Sequence, residues 1–273
     1  MSRRLATILI HGTLVAASAL TLLPLCWMVS ASLMPTGEAS AVPPRWLPSA
    51  PTLDHYRELF TRLDLAHAFA NSLAIAVVTT VVSVTLNALA GYGFARFRFA
   101  GRDRIFALLL LALVIPGQLG MLPLFLMLRS LGLVNTYLGV LIPGLASIFG
   151  IFLVRQYALG IPESVLAAAR IDGAGELRLF WSIVVPLCRP VLVTLALFTF
   201  MGTWNDFLWP LIVLSDARLQ TLPVALANLL GEHVQDTELM MAGAVLTVLP
   251  VVAVFLALQR SYIEGIASGS VKS

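Results

Sequence analysis

The residue most unexpected for its surroundings is Asp206, the single acidic side chain inside any of the long apolar runs of this sequence, in the string TWNDFLWPLIVL. At the centre of a bilayer an aspartate costs about 2.5–3.5 kcal/mol on the insertion scale, and less towards the interface, so such a residue normally turns to the interior of a helix bundle. Trp204, Asn205 and Trp209 accompany it. A carboxylate and an amide exchanging hydrogen bonds with hydroxyls, between aromatic faces that stack on sugar rings, would suit a path for carbohydrate. The other reading, which we prefer from sequence, is structural: tryptophans favour headgroup depth, and Asp206 at the outer boundary would meet another polypeptide. Gln118, beside Pro116-Gly117, is a second path-facing candidate with the same two readings. None of these is a catalytic residue.

Other chemistry is excluded by what the chain lacks. Its only lysine is Lys272, so no G-x-x-x-x-G-K-[ST] phosphate loop exists, and neither a G-x-G-x-x-G turn nor an H-E-x-x-H helix is present. His11, His55, His67 and His233 are far apart and read as solvated or interfacial groups, and Cys26 and Cys188 as an unpaired couple at different depths; no metal site is expected. No Gly-x-Ser-x-Gly occurs and no histidine lies mid-span, which argues against an intramembrane serine protease. A net charge of +3 is too small for a nucleic-acid footprint. Any nucleotide chemistry must come from another chain.

The elements that hold these residues are membrane helices. Hydrophobic residues make up 59% of the 273 and charged ones 11%, against about 25% charged in a soluble domain, and the mean hydropathy is +0.93. Spanning the hydrocarbon takes about 20 apolar residues. Five stretches without Asp, Glu, Lys or Arg qualify, namely 5–37, 65–95, 105–128, 130–154 and 239–259, and a sixth, 190–215, is broken only by Asp206. The expected fold is therefore all-α: a polytopic membrane helical bundle of six transmembrane helices. With a cytoplasmic N-terminus, twelve basic residues fall inside and five outside, which by the positive-inside rule puts both termini in the cytoplasm. Arg3 and Arg4 before the first run also fit a cleaved signal peptide, but the run is too long for one. The division read along the chain is a first transmembrane helix with its cytoplasmic N-terminus (1–34), an outer loop (35–69), a core of five transmembrane helices (70–260) and a cytoplasmic tail (261–273). Pro24, Pro116, Pro143 and Pro250 fall within spans. They read as structural kinks more readily than as hinges.

The longest inside segment, 155–189, reads as two short helices. Pro162 and Glu163 suit a helix start, Arg170 complements its C-terminal end, and Asp172-Gly173 stops it, glycine accepting the left-handed conformation of a C-terminal cap. An amphipathic helix over 176–185 follows along the membrane surface until Pro186 opens the next span. Ala167, Ala168 and Ala169 leave the first helix slim enough for a groove on a partner.

The string AAARIDGAGELRLFWSIVVPLCRP resembles the EAA loop of ATP-binding-cassette importer permeases, on Ala168, Ala169, Asp172, Gly173, Ile183 and Pro186. Ala167 stands where that family has its leading glutamate, removing one polar anchor, and Val185 replaces the usual leucine. Asn135–Gln156, Thr203–Leu214, Gln259–Ser273, and PTLDHYRELF followed by Asn71-Ser72 are similar to carbohydrate-importer permeases of the maltose type, so that the likeness covers nearly the whole chain. The resemblance implies that the loop is a coupling helix seated in a cleft of an ATPase subunit. It also implies a heterodimer with a second permease subunit, an ATPase dimer that uses the ATP, an extracytoplasmic solute-binding protein, and a place in the bacterial inner membrane. It implies no cofactor bound by this chain, and a tail over Gly265–Ser273 that reaches along the ATPase interface. In that frame the Asp206 region either borders the path or docks the binding protein or partner subunit. The outer loop 36–64 and the segment 216–238 either meet the binding protein or merely cover the bundle. The expected function is the membrane half of a sugar importer working by alternating access. Glycerol-phosphate esters or polyols are the alternative substrates, although an anion would want arginines in the path and none lies mid-span. A self-sufficient secondary transporter would need several midplane ionisable groups and internal symmetry, and neither is seen.

Overall fold

In the computed structural model the described residues are 3–43, 45–61, 64–232 and 236–270, and they are helical with no strand among them. In chain order the helices are α1 (Arg3–Ala31), α2 (Asp54–Thr61), α3 (Leu65–Arg96), α4 (Arg102–Ala112), α5 (Met121–Ser130), α6 (Tyr137–Gly144), α7 (Ile148–Leu159), α8 (Glu163–Ile171), α9 (Glu176–Leu179), α10 (Val185–Leu187), α11 (Arg189–Trp204), α12 (Leu208–Val213), α13 (Leu222–Glu232) and α14 (Thr237–Ser270). Four stretches are long and apolar enough to cross a membrane: Thr7–Ala31, Leu65–Arg96, Tyr137–Leu159 and Thr237–Gln259. Two more candidates are bent pairs, Arg102–Ala112 with Gly117–Ser130 at 97° and Glu176–Leu187 with Arg189–Trp204 at 80°, giving four to six spans.

Each break has a local cause. The residue before a proline is steered out of the helical region, and α4 ends four residues short of Pro116, whose ψ of 127° leads into the 3₁₀ turn Gly117–Gly120. The apolar run 190–215, expected as one helix, is instead split: α11 is capped at Asn205 and α12 starts at Leu208. Pro210 cannot donate to residue 206 and its ring would press on that carbonyl, so the chain restarts a helix in which Pro210 falls in the first turn. The surface helix expected over 176–185 runs as α9, a π turn over Phe180–Val184 and α10, so that Arg189 rather than Pro186 opens α11.

The chain forms two compact units, residues 1–66 with 225–250, and residues 67–224 with 251–273. In the first, the segment after α1 is fastened chiefly by side chains. The Ser32 hydroxyl pairs with Tyr56 Oη at 2.8 Å, Thr52 N–H donates to Leu33 O at 2.9 Å, and Ala39 N–H donates to Glu238 Oε1 at 2.7 Å. Expected at a solvated or interfacial position, His55 is in fact buried, its Nε2 2.9 Å from Met34 O, because the loop folds back over it. His11 is exposed as expected; His233 lies outside the described residues. Burial pushes the Glu38 carboxyl up, but the N–H and hydroxyl of Ser49 and the Arg45 guanidinium outweigh it and hold the group below its ordinary value.

In the second unit α3 and α7 pack closely. A Cβ on Gly91 would lie 2.7 Å from that of Val154, so only glycine permits the approach. Asn87, buried in the same helix, donates to Ser83 Oγ at 2.9 Å and accepts from Ser147 N–H at 2.9 Å, just before α7 begins. Cys26 is exposed, Cys188 is buried, and both are free thiols.

Candidate functional site

The loop between α7 and α11 is held by its own geometry. Pro162 precedes α8, and its far end closes with the pattern a left-handed cap requires. Gly173 has φ of +82°, its N–H donates to Arg170 O at 3.1 Å, and Ala174 N–H donates to Ala169 O at 3.0 Å. One face of α8 is buried through Leu166 and Ala169, in a cluster with Leu179, Phe180 and Val184. The opposite face carries Ala167, Ala168 and Ile171, and Ile171 is 86% exposed. Asp172, Gly173 and Pro186 are also exposed, while Ile183 packs partly against the buried cluster. The slim face of α8 is thus left open while Leu166 and Ala169 on its other side are buried.

A chain of charges fixes the position of α8. Arg96, at the end of α3, donates to Ala158 O at 2.7 Å, to Ile161 O, and to Glu163 Oε2 at 3.0 Å. Arg170 donates to Glu163 Oε1 at 3.1 Å and to Glu176 Oε1 at 2.8 Å, and Tyr92 Oη donates to Glu176 Oε2 at 3.2 Å. The Arg170 hydrogen bond holds Glu176 below the usual carboxylate range, and the same contact pushes Arg170 up.

The second region is a cleft of about 410 Å³ in the same unit, where Gln118, Asp206 and Trp209 come together with Thr79 and Thr203. Trp209 Nε1 donates to Gly139 O at 3.1 Å, and its backbone N–H reaches Asp206 Oδ1 at 3.4 Å. The other two candidates are elsewhere. Trp204 is fully buried, with Phe200 stacked at 5.9 Å and Phe69 edge-on at 5.5 Å, and Asn205 is exposed, its Nδ2 donating back to Met201 O at 2.8 Å. A smaller cleft of about 290 Å³ shares Gly144 and Thr203 with the first and adds Ser83, Ser147 and Thr199. Sequence reading missed this hydroxyl lining. Its signal was present: Thr79, Ser83 and Asn87 recur at every fourth residue of an apolar helix, which places them on one face. All three are buried, and the Thr79 hydroxyl has no hydrogen-bond partner.

The described residues thus combine broken candidate spans, a hydroxyl-lined cleft and a short helix with an open apolar face, a construction that fits a membrane permease subunit. The chain belongs to the family described as binding-protein-dependent transport system inner membrane component, whose model matches residues 83–266. It is 39% identical over 252 residues to the arabinooligosaccharides transport system permease protein AraQ of Halalkalibacterium halodurans, covering 91% of this chain and 90% of that protein. It is 34% identical to the lactose transport system permease protein LacG of Rhizobium radiobacter over 272 residues, 100% of this chain and 98% of the relative. Among solved structures it matches a chain from a bacterial ABC transporter involved in the import of the acidic polysaccharide alginate. The TM-score is 0.82 at 26% identity, covering 95% of this chain and 98% of that one.

Proposed function

We propose that the chain is one of two permease subunits of an ATP-driven importer of neutral carbohydrates in the bacterial inner membrane, crossing six times with both termini in the cytoplasm. ATP is bound and hydrolysed by a separate pair of ATPase subunits, one of which grips α8, and this chain holds no cofactor of its own. ATP-driven closure of that pair pulls on α8, and the helices anchored to it tilt between inward- and outward-facing states. A solute-binding protein delivers sugar to the outward-facing state. The observation that carries the coupling reading is the open face of α8, Ala167–Ala168–Ile171, on a helix whose opposite face and both ends are locked.

The clefts support the substrate class. Their lining offers hydroxyl and amide groups from Thr79, Ser83, Ser147, Thr199, Thr203 and Gln118, and the one charge, Asp206, is negative. Such a lining accepts and donates hydrogen bonds to sugar hydroxyls and repels a phosphate ester, which favours neutral sugars over glycerol-phosphate esters. The relatives named for arabinooligosaccharide and lactose transport point the same way.

The test is copurification of the ATPase subunits with the full chain, alongside ATP-dependent uptake in proteoliposomes. Ala168→Arg and Ile171→Asp alter only exposed positions, so the chain should still fold while capture of the ATPase and uptake are both lost. Undiminished capture by both variants would remove the coupling assignment. Uptake by the chain alone, without ATP, would make it a secondary transporter instead.

A further inference from the structure

We propose that the turn between α3 and α4 is a binding site for the phosphate headgroup of an anionic glycerophospholipid. Arg98, Arg102 and Arg104 converge with Phe99, Gly101 and Asp103 on a cleft of about 460 Å³. Arg102 is engaged, its Nε donating to Asp103 Oδ1 at 2.9 Å and its Nη1 to Phe97 O at 3.4 Å, so Asp103 is neutralised inside the cleft. Arg98 and Arg104 are exposed. Three arginines against one aspartate leave two positive charges in excess.

The surroundings select a lipid as the occupant. The turn joins two candidate membrane-crossing segments, so its arginines stand where hydrocarbon gives way to water. Phe97, Phe99, Ile105 and Leu108 beside them are all large and exposed, a combination of bare apolar surface and unneutralised guanidinium that matches acyl chain below and phosphate above. The platform is stiff as well. Phe97 meets the Tyr92 ring edge-on at 5.5 Å, and Phe99 lies 5.7 Å from the Phe94 ring, fixing the turn before any ligand arrives. Gly101, at φ of +81°, allows the chain to enter α4 there. Guanidinium forks bind phosphate oxygens in pairs, so the chemistry favours a phosphate diester with net charge over a zwitterionic headgroup.

The experiment is native mass spectrometry of the full-length chain released from nanodiscs of phosphatidylcholine with or without phosphatidylglycerol. The chain should retain phosphatidylglycerol in preference to phosphatidylcholine. In Arg98→Gln/Arg104→Gln the retained lipid should fall about 30-fold, roughly 1 kcal/mol for each arginine near the surface. Arg98→Lys/Arg104→Lys should keep much of the binding, showing that charge and not folding was lost, and Arg129→Gln, at an exposed position elsewhere, should change nothing. Equal retention by the double glutamine variant, or equal retention of both lipids, overturns the proposal. Displacement of the lipid by millimolar inorganic phosphate also overturns it, by making the turn a site for free phosphate. None of these readouts involves transport, so they stand apart from the proposed function.

Discussion

Replacing Arg170 by glutamine should loosen α8 without unfolding the protein. Arg170 makes two charged contacts, with Glu163 at 3.1 Å and Glu176 at 2.8 Å, both with solvent access. Exposed pairs of this kind contribute about 0.2–1 kcal/mol each, so the loss is roughly 0.4–2 kcal/mol. Glu163 keeps Arg96 at 3.0 Å and Glu176 keeps Tyr92, so neither carboxylate is stranded. A change of about 1 kcal/mol multiplies the opened population about fivefold. Hydrogen exchange read by mass spectrometry should show that increase in peptides spanning 163–179, with the middle of α3 unaltered. A cycle with Glu176→Gln should give a coupling energy of about 0.2–1 kcal/mol, because it isolates one of the two contacts. Unchanged exchange in 163–179, or faster exchange throughout, would refute the claim that Arg170 clamps α8.

Asp206→Asn keeps an acceptor for the Trp209 N–H but removes the only charge in the larger cleft. A hydrogen bond to a charged group contributes about 1.5–3 kcal/mol, so uptake in proteoliposomes should fall at least tenfold with normal membrane insertion, and unchanged uptake would take Asp206 off the path. Trp204→Ala should cost about 3–5 kcal/mol through the void it leaves, and thermal unfolding in detergent should report that loss. Gly173→Ala forces a side chain onto a residue at φ of +82°, costing about 1–2 kcal/mol, and should speed exchange at Asp172 to Ala174. For pH, the depressed group is Glu176: its contribution is complete above the ordinary value of 4.5 and is lost as pH falls through the lower folded value. The clamp should therefore hold unchanged from neutrality to about pH 5 and open only in stronger acid, and Glu176→Gln should remove the Glu176 part of that acid dependence.

What could be read from sequence was whatever the chain settles locally. Pro162, Glu163 and Asp172-Gly173 delimit α8 by backbone rules that act within a few residues, so its extent and cap were legible. Gln118, Asp206 and Trp209 stood out because polar or amphipathic groups are costly in apolar runs, and the fold gathers all three. Trp204 carried the same signal and sits among Phe69 and Phe200 instead, since an indole is as well suited to a core as to a path. The break at 205–207 was signalled by Pro210, but the apolar run on both sides masked it. The link between Arg96 and Glu163 joins residues 67 positions apart and depends on which helix ends meet, a fact no local pattern contains.

The same helix carries both halves of the proposed mechanism, and that makes transmission a matter of lever length. α3 presents Thr79 to the cleft and ends in Arg96, which ties α8 and the end of α7. Seventeen residues separate the two, about 26 Å of helix. α7 runs against α3 so closely at Gly91 and Val154 that neither can slide without carrying the other. Asn87 adds a second tie, through Ser147 at the start of α7. In the proposed mechanism a pull on α8 would reach the hydroxyl-lined face as movement of this pair of helices together, and not as local unfolding. Gly91→Val, which would wedge the crossing apart, should uncouple ATP hydrolysis from uptake while leaving α8 docked on the ATPase. If hydrolysis and uptake fell together in that variant, the α3–α7 pair would not be the lever.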